Sequence, residues 1–129
     1  MKLLRQTALA LSLATTLAAT PSLAQAPAPP TYFLFVYSAG PAWKQGQPLS
    51  VQGLGPHGMY MTKLFKDGVV LAGGPSTAPE GGGLAIVKAR DAAEAKALLA
   101  ADPAIKDGIM TAEVRNWRPL MATRDPLLP

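Results

Sequence analysis

At 129 residues the chain has room for one domain, and it carries 12 Lys and Arg against 8 Asp and Glu, one histidine and no cysteine. The missing thiols exclude a disulfide framework and a lipid anchor on cysteine, and one imidazole is too few for a transition-metal centre. The basic residues are scattered, without the run or stripe that releases counterions from a phosphate backbone, which excludes nucleic acid as a partner.

The chain opens with Lys2 and Arg5, continues through an apolar run over residues 7–20 and reaches Ser22-Leu23-Ala24, small residues where a signal peptidase cuts. Residues 1–24 are thus expected to be a signal peptide, cleaved after Ala24, which makes the mature protein periplasmic or secreted. A transmembrane anchor is the competing reading, but the apolar run is short and broken by Thr15, Thr16 and Thr20, so no stable membrane insertion is expected after cleavage. The mature chain keeps ten basic and eight acidic residues. Residues 25–30 form a proline-rich leader with little to pack. The domain is expected over 31–120, with a tail at 121–129.

Within the domain, Tyr32 to Tyr37 is aromatic and β-branched and ends at Ser38-Ala39-Gly40-Pro41, which marks a strand. A long loop over 38–53 carries Trp43. Pro56 suits the first turn of a helix and Gly68 the residue after its last. Between them Leu54, His57, Met61, Leu64 and Phe65 fall on one arc, so the helix is expected to bury that stripe. Val69 to Ala72 is a second strand, stopped by Gly73-Gly74-Pro75. Gly81-Gly82-Gly83 precedes a strand, Leu84 to Ala89, and so makes a flexible turn rather than a phosphate cradle; no cofactor is expected. Asp91 and Glu94 form an Asp variant of the capping box, opening a second helix whose inner stripe is Ala92, Ala95, Leu98 and Leu99. Asp102-Pro103 ends it, a short turn runs to Gly108, and Met110 to Trp117 alternates as a fourth strand.

The order βαββαβ is the ferredoxin-like α+β plan: a four-stranded antiparallel sheet with two helices on one face. Neither face of the first strand is hydrophilic, because Phe33, Phe35 and Tyr37 alternate with Tyr32, Leu34 and Val36. One face packs beneath the helices. The other calls for a homodimer joined through bare sheet faces, or else lines an open ligand cleft.

The run from His57 to Gly68, the Val-Val-Leu-Ala-Gly-Gly-Pro that follows, Ile86 to Ala89 with its capped helix ending in Ala101-Asp102-Pro103, and the last strand ending in Trp117 together resemble the YCII-related (YciI-like) family of small dimeric α+β barrel proteins. The resemblance covers most of residues 31–120. It implies an active site centred on His57 and Asp102, and an activity like that of muconolactone isomerases or of dehydrochlorinases of hydroxylated aromatics. No basic residue shortly precedes His57, where family members often carry one. Trp43, Gly74 and Pro75 are the candidates for contacting a small-molecule ligand, Trp43 either as a lid or as a residue tucked against the dimer seam.

The chemistry of the pair can be weighed on its own. The positive end of a helix disfavours an imidazolium, whereas an aspartate on one ring nitrogen fixes the tautomer and stabilises the charge as it forms. These opposed influences suit a general acid or base, which contributes about 10²–10⁴-fold when positioned. His57 would take a proton from a carbon or oxygen acid and return it elsewhere, in an isomerase or lyase reaction on a cyclic or aromatic molecule. No nucleophile for acyl transfer is visible. Alternatively His57 packs against Met61, Asp102 caps the turn at Pro103, a job one carboxylate oxygen can do while the other meets the imidazole, and the protein is a non-catalytic binding or interaction module of the same fold.

Overall fold

The computed structural model describes residues 31–78 and 80–122. The signal peptide and leader expected over 1–30, and the tail from Thr123 onward, lie outside the described residues. Four strands and three helices follow one another as β1 (Thr31–Ala39), α1 (Gly55–Lys66), β2 (Val70–Pro75), β3 (Gly83–Ala89), α2 (Ala92–Ala100), α3 (Pro103–Lys106) and β4 (Met110–Trp117), with a 3-10 turn at Leu49–Val51 before α1. The strands make one antiparallel sheet in the order β2-β3-β1-β4, and the helices pack on one side of it, the ferredoxin-like arrangement.

The alternation of β1 sets the core. Phe33, Phe35 and Tyr37 point under the helices and are buried, together with Ala85, Val87 and Ala89 of β3, Leu64 of α1, and Ala95 and Leu99 of α2. Each fully buried Phe stabilises the fold by about 1.5–3 kcal/mol relative to exposure. Ala95 and Leu99 seat α2 on the sheet over β4, β3 and β1. On the opposite face Tyr32, Leu34, Val36 and Ile86 are half-buried and Leu84 is exposed, with no helix among the described residues across them. Glu113 and Arg115 of β4 lie opposite Val36 and Leu34 and pair with each other at 2.7 Å, giving this apolar face a charged border.

Three expectations need correction. Gly73-Gly74-Pro75 does not stop β2: it pairs on with Ala85, Leu84 and Gly83 after a register shift between Val70 and Ala72. As the edge strand of the sheet, β2 can hold a proline that a central strand could not. Phe65 is 59% exposed, because Leu64 is the fully buried residue of α1 and Phe65 sits about 100° around the helix from it. Ala92 is likewise exposed, leaving Ala95 and Leu99 as the buried residues of α2. The turn after Asp102 is an ordered element, α3, and the capping box is present: Asp91 Oδ1 accepts from Glu94 N at 2.8 Å, and Glu94 Oε2 accepts from Arg90 N at 2.6 Å.

Candidate functional site

Three chain segments converge on one carboxylate. Helix α1 opens with Gly55 and Pro56, whose missing N–H leaves nothing unpaired in a first turn. His57 is the next residue, on the side that faces α3. Leu54 offers no side-chain cap to this helix, so its orientation is set by the loop before it. That loop is clamped by Gln52, which is buried. Its side-chain oxygen accepts from Lys44 N at 2.8 Å, and its amide donates to Lys44 O at 2.8 Å and Gln47 O at 3.0 Å. One side chain thus satisfies three backbone groups of an otherwise irregular segment.

Asp102 stands between α2 and α3. Its Oδ1 accepts from Ala104 N at 2.9 Å, capping α3, whose first residue is Pro103. The same carboxylate meets His57 Nδ1, at 2.9 Å from Oδ1 and 2.8 Å from Oδ2. Oδ2 also accepts from the Tyr37 hydroxyl at 3.0 Å. The capping and imidazole-binding roles, compatible in the sequence, coexist in one group.

Asp102 is fully buried, whereas the His57 side chain is 20% exposed. Burial is the largest influence on the Asp102 carboxyl and pushes it up. The hydrogen bond from His57, that from Ala104 N–H, the His57 charge and the Tyr37 hydroxyl together outweigh it and hold the carboxyl below its usual range. An ionised carboxylate can only accept. Nδ1 must therefore carry the ring proton, which leaves the Nε2 lone pair as the basic site, and Nε2 has no hydrogen-bond partner among the described residues.

The surroundings are aromatic. The Tyr37 ring meets the imidazole edge to face, with centroids 5.4 Å apart and planes at 75°. Tyr60, one turn along α1 from His57, sends its hydroxyl to Leu98 O at 2.7 Å and ties α1 to α2. Burial first, and then the charge on Asp102, pushes both phenols upward, so they act as neutral donors across the physiological range.

The remaining sequence candidates are not among the partners of this carboxylate. Trp43 is buried in the core, its ring packed where a Cβ on Gly81 would come within 2.5 Å. Gly74 and Pro75 are exposed on β2 and pair with Leu84 and Gly83. None of the three is hydrogen-bonded to His57 or Asp102. Among the described residues no group of three or more His, Cys, Asp or Glu side chains is placed to hold a metal ion.

Two residues of the site were missed in the sequence. Gln52 carries no signal there, since nothing local distinguishes a clamp from a solvated loop glutamine. Tyr37 does carry one: a hydroxyl on the inward face of a strand costs free energy unless it finds a partner.

No curated protein matches the chain, and no solved structure does. What does match is a family model, and its span holds the Gln52 clamp, His57 and Asp102 together: the YCII-related domain aligns with residues 42–118, more than half of the chain, so the protein belongs to the YCII-related family.

Proposed function

We propose that the protein is an exported enzyme that moves a proton on a small cyclic or aromatic organic molecule, as an isomerase or lyase, with His57 as general acid–base and Asp102 as its partner. One observation carries this reading: Nδ1 of the sole imidazole is held 2.8 Å from a buried carboxylate while Nε2 has no partner among the described residues. In the first step Nε2 takes a proton from a carbon or oxygen acid of the substrate. The positive charge that develops on the ring is stabilised by the Asp102 carboxylate, which stays ionised and keeps the ring from turning. In the second step Nε2 returns the proton at a different atom, which is isomerisation, or gives it to a departing group, which is elimination. Trp43, Gly74 and Pro75 enter this proposal only on the substrate side, with Gly74 offering bare backbone to a ligand. The open apolar face of the sheet supports a homodimer, and the leader sequence supports export to the periplasm or beyond.

Thermal-shift screening of the mature chain against hydroxylated aromatics and lactones finds the ligand class, since a ligand present at 100 times its Kd stabilises by about 2.7 kcal/mol. Turnover of a hit, lost by at least about 100-fold in His57→Gln with folding unchanged, is the expected result. Turnover that survives His57→Gln would overturn the acid–base reading, and tight binding without turnover would make the protein a binding module.

A further inference from the structure

We infer that Tyr37 is a positioning residue of the His57–Asp102 pair: its hydroxyl fixes the carboxylate through Oδ2 while its ring walls one side of the imidazole. Nothing in the family match assigns it, because Tyr37 lies before the first matched residue, Ala42. The inference rests on reading the pair as an acid–base site and names what holds that site in place.

Tyr37 is well built for the task. It belongs to the central strand and is paired on both sides, with Gly83 of β3 and Ala112 of β4, so its backbone cannot drift. Its ring is locked between two edge-to-face neighbours, Phe35 at 6.4 Å and His57 at 5.4 Å. Met61 Sδ lies 3.7 Å from the hydroxyl, a weak acceptor that leaves Asp102 as the strong one. A purely packing role would be met by phenylalanine, as at positions 33 and 35 of the same buried stripe. The hydroxyl is the part of this side chain that packing does not explain, and it goes to the carboxylate that holds the histidine.

The chemical consequence is a division of the carboxylate's charge. Asp102 receives Tyr37 O–H on Oδ2, Ala104 N–H on Oδ1, and His57 Nδ1 between the two. Each donor draws negative charge away from the others. Removing the phenol proton concentrates that charge on the Nδ1–H and favours the imidazolium. The groups facing the ring and its partner are Asp102 at the start of α3, Tyr37 from β1 and Tyr60 from α1 itself, the last with its hydroxyl committed to Leu98 O of α2. No other charged side chain is hydrogen-bonded to the pair among the described residues.

The test uses the single histidine of the full chain, read by NMR titration without any substrate. Tyr37→Phe keeps the ring and removes the hydroxyl; the His57 titration is expected to move to higher pH while the amide spectrum stays native-like. An unchanged midpoint in a folded Tyr37→Phe protein would overturn the inference. Should that variant fail to fold, the unaltered hydroxyl remains readable: a through-space NMR correlation between the Tyr37 hydroxyl proton and the His57 Nδ1 proton, both held on Asp102, is expected in the unaltered protein. Its absence, with the Nδ1 proton visible, would equally defeat it. Neither readout depends on turnover, so an inactive protein would end the enzymatic proposal and leave Tyr37's place at the pair standing.

Discussion

Asp102 is the residue on which the most depends, because one carboxylate caps α3, receives Tyr37 and holds His57. Asp102→Ala is expected to cost on the order of 3 kcal/mol, since it removes an N-cap and leaves a buried hydroxyl and an N–H unpaired. Asp102→Asn, which can still accept on one oxygen, should cost clearly less; equal losses in urea unfolding of the two variants would contradict this account of the site. The carboxyl is held below its usual range in the folded state, so its contribution is fully present above the unfolded value near 4 and is lost as pH falls through the lower folded value. Stability measured from pH 5 downward should therefore decline more steeply in the unaltered protein than in Asp102→Asn. His57 and Asp102 were legible as a pair only through the resemblance of their flanking segments. Forty-five positions separate them, and no local rule brings a helix start and a helix end together over one face of a sheet. Tyr37 was hidden for another reason: in a run of six aromatic and aliphatic residues a tyrosine passes for one more hydrophobe.

The hydrophobic patterns gave the elements, and interactions that pattern does not encode gave their limits. Periodicity placed both long helices, and the Asp91 and Glu94 spacing placed the start of α2. It could not show that β2 runs on through Gly73-Gly74-Pro75, because the ban on proline lapses at a sheet edge, and edge position belongs to topology. Phe65 failed for a related reason, since an arc drawn on one helix does not reveal how narrow its neighbour is. The long loop before α1 is the sharpest example. Its order comes from Gln52, and Gln52→Ala should cost about 1–3 kcal/mol and speed hydrogen exchange at Lys44 N, because three backbone groups lose their partner. An unchanged exchange rate would remove the clamp from the explanation. At the junction of β1 and β4, Gly40 lies so close to Gly108 that a Cβ would come within 2.3 Å of its carbonyl oxygen. Gly40→Ala should therefore destabilise by about 1–3 kcal/mol through overpacking, measured by thermal unfolding; a neutral substitution would mean that the strand ends are looser than drawn.

For the whole molecule, the open sheet face matters more than any element. Leu34, Val36, Leu84 and Ile86 form an apolar patch on the side away from the helices, bordered by Glu113 and Arg115. The proposed homodimer buries this patch against its own copy. Val36→Glu places a charge at its centre without disturbing the covered core, and is expected to convert a dimer into monomers in sedimentation equilibrium; a monomer before substitution, or a dimer after it, would refute the sheet-to-sheet assembly. Such a dimer would stand on the face opposite the helices, so the His57–Asp102 pair should survive its dissociation. The sequence pointed to an uncovered apolar surface because both faces of β1 are hydrophobic. What covers that surface is not written in the pattern of one strand.

The proposed acid–base role turns on which nitrogen of His57 holds the proton, since only an Nδ1–H bound to Asp102 leaves Nε2 free to act. Long-range proton–nitrogen NMR correlation on the sole histidine, at a pH where the ring is neutral, reads this directly. The Nδ1–H tautomer is predicted to dominate in the unaltered protein and to give way to the Nε2–H form in Asp102→Asn. A predominant Nε2–H tautomer in the unaltered protein would contradict the arrangement and the acid–base role drawn from it.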